Sequence, residues 1–379
     1  MNFELTDNQK MVRNMVRDFA ENEIEPVADE LDEEKEYPHE ILDKMSDLGL
    51  LGIMIPEEYD GAGMDTVSFA IVIEEISKKC ASTGVVTEVH NSLVASPIMH
   101  YGTEEQKEKY LPMLATGEKI GAFGGTEPDA GTNLGAMQTT AEKDGDKYII
   151  NGQKTFITSG SEAGLFLVFA VTDKSKGRNG ISAFIVESDT EGFVVGDVFD
   201  KMGIHANRVS ELFFEDMEVP EENLLGEEGD GYKIALSALD HGRIGIGAQA
   251  VGIAQAAIDE SVEYSQQREQ FGKSISKFQA IQFKLADMET RTQAARFLVY
   301  NAADAADRGE RFTKEASMAK LFASEVAMDA AQEGVQIHGG YGYTDEYLVE
   351  RLFRDAKITE IYEGTSEAQK MVIAKSLLS

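Results

Sequence analysis

A chain of 379 residues is longer than one hydrophobic core usually organises, so roughly two or three packed units are expected. Its formal charge of −33 excludes nucleic acid as an expected partner, because phosphate contacts need concentrated Lys and Arg; any anionic ligand must be met by a few local cations against the overall field. A hydrophobic content of 42% supplies an ordinary core, and the longest purely apolar run, Leu165 to Val171, is too short to cross a bilayer.

The start, Met1 to Lys10, is polar and lacks the apolar centre of a secretory signal, and the lone Cys80 cannot form an intramolecular disulfide. A soluble, reducing, cytoplasmic setting is therefore expected, with no membrane contact. Residues 1–118 predict helices. Thr6 with Gln9 has capping-box spacing, and Val12, Met15, Val16 and Phe19 then trace one apolar face. Ile41, Leu42, Met45 and Leu48 repeat that face. Thr103 with Gln106 gives a second box before Tyr110, Leu111 and Leu114, and Pro56 to Gly63 reads as a loop between.

Residues 119–230 predict strands. Asp144-Gly145 and Asn151-Gly152 are hairpin-type dipeptides flanking Tyr148-Ile149-Ile150. Further β-prone runs follow at Phe156 to Thr158, Leu165 to Val171 and Ile181 to Val186, with Lys174 to Asn179 as a polar turn. Residues 231–379 return to helical spacing: Ile244, Ala248, Val251, Ala254, Ile258 and Val262, then Phe278, Ile281, Leu285 and Met288, then Met318, Phe322, Val326 and Ala330. Long amphipathic helices with short connections imply a bundle. The fold class is α+β, multi-domain and mainly α.

Several segments carry possible chemistry. Phe123, Gly124, Gly125, Thr126, Gly131 and Thr132 combine glycines, which allow close backbone approach, with hydroxyls; an ordinary turn is the alternative. Phe156 and Thr158 alternate with Ile157, so ring and hydroxyl face one side of a strand. That suits a planar ring with a polar edge, or simply a buried aromatic beside a satisfied hydroxyl. Asp240-His241-Gly242-Arg243 is read at the start of a long helix, where Arg243 suits an anionic ligand or only a solvated first turn. Arg268 to Gly272 with Gln279, and Gln336 to Gly340, are further candidates; the paired glycines of the latter suit a helix cap. Last, Glu363 is followed by Gly364, Thr365, Ser366 and Glu367, between two helical segments.

In this order and at these separations, the segments resemble the acyl-CoA dehydrogenase family along essentially the entire chain, most nearly its short-chain, butyryl-CoA type. The resemblance implies an N-terminal all-helical domain (1–118), a middle β-barrel-like or sandwich domain (119–230) and a C-terminal four-helix bundle (231–379). It implies FAD as cofactor, an acyl-CoA substrate, an electron-transferring flavoprotein as partner and a homotetramer. Phe123, Gly124, Gly125, Thr126, Gly131 and Thr132 would line the flavin, Thr132 also facing CoA, while Phe156, Ile157 and Thr158 would stack on its ring and approach N5. Arg268, Phe271, Gln279, Gln336, Ile337, His338, Gly339 and Gly340 would hold its pyrophosphate and adenosine, partly across a subunit interface. Thr365, Ser366 and Glu367 would complete that site. Asp240, His241, Gly242, Arg243 and Gly364 would contact the acyl-CoA.

By the same resemblance Glu363 is the base that removes the α-proton while the β-hydrogen leaves as hydride to flavin N5. In some relatives the base stands at the position of Gly242, which cannot act as one. A metal is not expected. An acyl-CoA oxidase, an enoyl-CoA reductase subunit of an electron-bifurcating complex and a catalytically silent acyl-CoA- or flavin-binding protein are the competing readings. Glu88 and His90 stand in a mostly apolar run, Val85 to Val94, that borders the acyl pocket in relatives. Surface exposure or a satisfied hydrogen bond explains them, or Glu88 is a second carboxylate within the pocket.

Overall fold

The computed structural model describes residues 4–378, so residues 1–3 of the polar start lie outside it. Both capping boxes form: Thr6 and Gln9 exchange hydrogen bonds at 2.9 and 3.2 Å, Thr103 and Gln106 at 3.1 and 3.2 Å. They open helices Asp7–Phe19 and Glu104–Ala115. The first buries Val12, Val16 and Phe19, as its spacing predicts. Leu48, by contrast, lies just past helix His39–Asp47, at its C-cap, and is exposed.

Helix Thr66–Ser77 is buried on every side. Its N-terminus is capped twice. Asp65 accepts from the Ser68 N–H at 2.7 Å, and Asp307, from a distant helix, accepts from Thr66 N–H at 2.7 Å and Val67 N–H at 3.2 Å. Acidic groups suit those free N–H donors. Glu74 of the same helix is held by Arg296 at 2.8 Å and Tyr300 at 2.9 Å. The next helical run, Ala81–Val89, passes through a wide π-helical turn, His90–Ala95, into Ser96–Tyr101.

The middle unit is one eight-stranded sheet: β1 (Gly121–Gly124), β2 (Thr140–Asp144), β3 (Lys147–Thr158), β4 (Leu165–Val171), β5 (Ile181–Glu187), β6 (Phe193–Val198), β7 (Val209–Pro220) and β8 (Leu224–Leu225). Its order is β6-β7-β3-β2-β4-β5-β8, with β1 parallel to β4. β2 and β4 pair only at Thr140 with Val171. Either side of that narrow join, Ile150, Leu212 and Phe214 from one half meet Phe166, Val168 and Phe184 from the other in a sandwich-like core.

One turn expectation changes here. Asn151-Gly152 makes no turn but a bulge inside β3, where the register against β7 shifts. A Cβ at position 152 would lie 2.5 Å from Thr139 Oγ1, and the Asn151 amide instead pairs with Asp216 at 2.8 and 3.0 Å. The hairpin turn itself falls on Gly145 and Asp146, joining Asp144 to Lys147. The polar Lys174–Gly180 segment forms 3₁₀ turns.

Three long helices, Gly231–Gln267, Gln279–Asp307 and Thr313–His338, pack on one another, with Leu348–Ile358 and Ser366–Leu378 against them. Helix Thr66–Ser77 joins the same assembly. The helical units from the two ends of the chain therefore share one core, in which Val16, Phe69 and Ile73 meet Ile246, Val299 and Ala323. Among the described residues no helix is long and apolar enough to cross a membrane.

Candidate active site

Strands β1 and β3 bring two of the predicted segments together. The Thr155 N–H donates to the Thr126 carbonyl at 2.9 Å, and buried Lys154 donates to Glu127 at 2.8 Å. Glu127 also accepts from the Gln138 and Thr139 N–H groups at 2.5 and 3.0 Å. Burial lowers the Lys154 ammonium to about 8. Burial alone would raise Glu127, but the ammonium and these donors leave it below its usual range. This buried pair fixes the loop Gly125–Thr126 beside the end of β3, and sequence reading did not single it out.

Phe156 stands out from that end, 63% exposed, while Ile157 is buried and Thr158 half-buried. The aromatic is therefore not a core residue. Its φ of 57° is the left-handed region, which costs a non-glycine residue about 1–3 kcal/mol and clusters at functional sites. A bulge between Lys154 and Ile157 produces this conformation. An open ring face, a neighbouring hydroxyl and the Gly125–Thr126 backbone fit a flavin ring with its hydrogen-bonding edge. Gly131 and Thr132 lie exposed on the following loop.

Glu363 sits between helices Leu348–Ile358 and Ser366–Leu378, with φ 51°, again left-handed. Both its carboxylate oxygens are buried and lack a hydrogen-bond partner. The loop is clamped from below: Lys320 donates to the Gly364 carbonyl at 2.8 Å, and the Gln369 amide donates to Gly364 at 2.8 Å and Glu363 at 3.3 Å. Thr365 caps the last helix through the Ala368 N–H at 3.3 Å. Ser366 Oγ is buried without a partner, and Glu367 is exposed. Tyr362, beside the glutamate, donates to Gln249, which donates to the Ala81 carbonyl at 2.8 Å.

Burial raises the Glu363 carboxyl to about 7, against the opposing pull of Glu88, Lys320 and Arg243. Burial lowers Lys320 to about 8, although Glu363 favours its charge. Lys320, Gln369, Tyr362 and Gln249 were not among the predicted residues. The available signal was Lys320, a charge within the Ala316, Ala319, Ala323, Ala327 stripe, where an exposed lysine has no place.

Helix Gly231–Gln267 forms the opposite wall. A Cβ at Gly242 would lie 1.9 Å from Glu363 Oε2, so the glutamate occupies the space a side chain there would need. Asp240 to Arg243 lies well inside this helix rather than at its N-terminus, so the predicted helix-end field is not available to it. Arg243 is buried, donates to Asp240 at 2.6 Å and leaves its Nε without a partner. Asp240 also accepts from Thr313 at 2.6 Å. Arg243 is thus not in a solvated first turn but is a buried cation whose charge acts on Glu363. His241 donates to the Ser237 carbonyl at 3.2 Å and packs 4.9 Å from the Phe312 ring; burial lowers it to about 4, so it is neutral.

Glu88 is neither exposed nor fully satisfied. It is completely buried next to Glu363, accepts from Ser92 at Oε1, and leaves Oε2 without a partner. Burial and the neighbouring Glu363 both raise it well above the ordinary carboxyl range. His90, in contrast, has the satisfied hydrogen bonds: Nδ1 accepts from the Gly121 N–H and Nε2 meets the Leu114 carbonyl, both at 3.0 Å. Burial lowers it to about 4.

Arg268, Phe271, Gln279 and Gln336 to Gly340 form a separate group. Arg268 lies 5.4 Å over the Tyr341 ring, and Tyr264 stacks on His338 at 4.1 Å. His338 and Ile337 are buried at the helix end, which Gly339 caps; Arg268, Gln279, Gln336 and Gly340 are exposed, and Phe271 is 92% exposed with φ 54°. From Gly242 to Tyr264 is roughly 33 Å along the helix. One chain therefore does not bring this group to Glu363. A surface groove lined by Arg13, Arg17, Glu74, Glu75 and Arg296 contains none of the predicted site residues, and Glu74 and Glu75 are already paired with Arg296 and Arg17.

Comparisons with known proteins agree with this geometry. Residues 6–118, 122–217 and 229–378 match the N-terminal, middle and C-terminal domains of acyl-CoA dehydrogenase. The chain is 54% identical over 374 residues to the short-chain-specific acyl-CoA dehydrogenase of Clostridium acetobutylicum, covering 99% of each. It superposes on butyryl-CoA dehydrogenase from Megasphaera elsdenii with a TM-score of 0.98 at 50% identity, over the whole of both chains. A structure from work on the electron-transferring flavoprotein of Acidaminococcus fermentans and flavin-based electron bifurcation matches with a TM-score of 0.99 at 52% identity, again over both whole chains. The chain belongs to the acyl-CoA dehydrogenase family, whose cofactor is FAD.

Proposed function

We propose that the chain dehydrogenates a short-chain acyl-CoA across its α,β bond to the trans-2-enoyl-CoA, with Glu363 as the base. The observation that carries this is a carboxylate with both oxygens buried and unpartnered, seated on Gly242 and raised to about 7. A desolvated carboxylate of this kind is a stronger base near neutral pH than one in water. When bound, FAD supplies the two-electron acceptor. Phe156 and Thr158 orient it from β3, and the 123–132 and 365–367 segments border it. The Glu363 backbone N–H donates to the thioester oxygen as negative charge develops there, an interaction of oxyanion type worth about 3–4 kcal/mol. Lys320 and Gln369 hold the loop that aims both groups. Glu363→Gln should lose at least ~10² in turnover of butyryl-CoA with a dye acceptor, the range general-base catalysis supplies; near-normal turnover would reject the assignment.

The separate Arg268 and Gln336–Gly340 group supports a homotetramer in which one protomer's residues complete another's FAD site. Size-exclusion chromatography with light scattering tests that assembly. The partner we propose is an electron-transferring flavoprotein, and the setting is the cytoplasm. The likeness to the bifurcation structure favours a second reading, in which the same site reduces an enoyl-CoA within such a complex. Mixing the protein with a nicotinamide donor, an electron-transferring flavoprotein and crotonyl-CoA decides it: saturated product formed in step with nicotinamide oxidation supports the reductase.

A further inference from the structure

Gly242 and Gly245 stand on one face of helix Gly231–Gln267, and each seats a carboxyl side chain. A Cβ at 242 would lie 1.9 Å from Glu363 Oε2; one at 245 would lie 2.4 Å from Glu88 Cγ and 2.6 Å from its Oε1. Positions i and i+3 have Cβ atoms about 5–6 Å apart, so the two carboxyl groups lie side by side. Glu88 Oε1 accepts from Ser92, whereas Glu88 Oε2 and both Glu363 oxygens are buried without partners. Adjacent carboxylates removed from water do not both ionise, and one proton stays between them.

The surroundings place that proton. Lys320 and Arg243 act on Glu363 and favour its charge, Arg243 being shared with Asp240. The groups acting on Glu88 are Glu363 and the Ser92 hydroxyl, with no cation among them. The Tyr362 phenol feels both carboxyls but donates to Gln249. His90, on the next turn, is neutral and committed to Gly121 and Leu114.

We propose that Glu88 is a positioning residue that retains one proton and donates it from Oε2 as a hydrogen bond to Glu363, keeping Glu363 an oriented anion; this rests on the dehydrogenation read above. When the α C–H bond breaks, its proton forms an O–H bond on Glu363, and the pair passes from one proton to two. No other proton moves.

Glu88→Gln retains an N–H donor, and Glu88→Ala removes it. Wild type, both variants and Glu363→Gln are compared by the pH dependence of kcat/KM for butyryl-CoA with a dye acceptor. The infrared carbonyl band of a buried protonated carboxyl group is recorded for each. The expected results are such a band at about pH 9, where Glu363 with its value of about 7 is ionised, in wild type, its loss at that pH in Glu88→Gln, and an acid limb of kcat/KM about one pH unit higher in Glu88→Ala. In Glu88→Gln that limb keeps its wild-type position. A limb that moves to lower pH in Glu88→Ala makes Glu88 anionic and overturns the proposal, as does a band that persists in Glu88→Gln. Should Glu88→Ala fail to fold or retain flavin, the band in Glu88→Gln decides alone. Normal turnover by Glu363→Gln would instead reject the dehydrogenation reading itself.

Discussion

Gly242 and Glu363 share one space: the carboxylate lies where the first carbon of any side chain at 242 would stand, 1.9 Å from it. Gly242→Ala should therefore push Glu363 off its position. Leu93, 2.9 Å from the same point, blocks retreat along that side. A misplacement of about 1 Å costs on the order of 10² in rate, so kcat should fall by about that factor while FAD stays bound. Steady-state kinetics with the flavin absorbance spectrum checks both halves.

The raised Glu363 carboxyl sets a pH dependence of activity. Turnover needs Glu363 deprotonated, so kcat/KM should fall as pH drops through about 7, well above the ordinary carboxyl value of 4.5. A pH–rate profile with its acid limb near 4.5 would contradict the burial of this group.

Stability follows with the opposite sign. Glu363 and Glu88 bind protons more tightly folded than unfolded, so between about 4.5 and 7 the native state holds more protons. The Glu363 contribution is fully present below 4.5 and is lost as pH rises through about 7. Glu363→Gln, which needs no proton, should raise the thermal midpoint at pH 8 relative to wild type and not at pH 4. Scanning calorimetry of the holoenzyme at both values measures this.

Lys154 and Glu127 tie the two flavin-facing segments. Removing one partner of a buried pair leaves a lone charge and costs about 3–5 kcal/mol. Lys154→Met should lose stability in that range by urea unfolding and retain less flavin. Combining Lys154→Met with Glu127→Gln removes both charges and should recover part of the loss.

Phe156→Ala separates binding from folding. The ring is 63% exposed, so its removal should leave unfolding by urea nearly unchanged. Ring stacking is worth about 0.5–1.5 kcal/mol, so FAD affinity should fall by roughly 2–10-fold, read by titrating the apoprotein.

How far the sequence carried can be seen in particular residues. Amphipathic helices and both capping boxes were legible, because one solvent-facing side preserves the 3.6-residue rhythm. Helix Thr66–Ser77 was not, since burial on every side erases that rhythm. Asn151-Gly152 has turn chemistry, yet the cross-strand bond to Asp216 converts it into a bulge. The Glu363 loop was readable through its family resemblance, but its clamps, Lys320 and Gln369, come from other helices and carry no local motif. Glu88 was visible as a break in an apolar run, while its meeting with Glu363 depends on two glycines more than a hundred residues away in sequence.

The central claim is tested most directly by adding butyryl-CoA to the FAD-loaded protein without oxygen and following the flavin absorbance. Wild type should bleach rapidly, whereas Glu363→Gln should bind the thioester and bleach at least ~10² more slowly. Equal bleaching by both proteins would contradict Glu363 as the base.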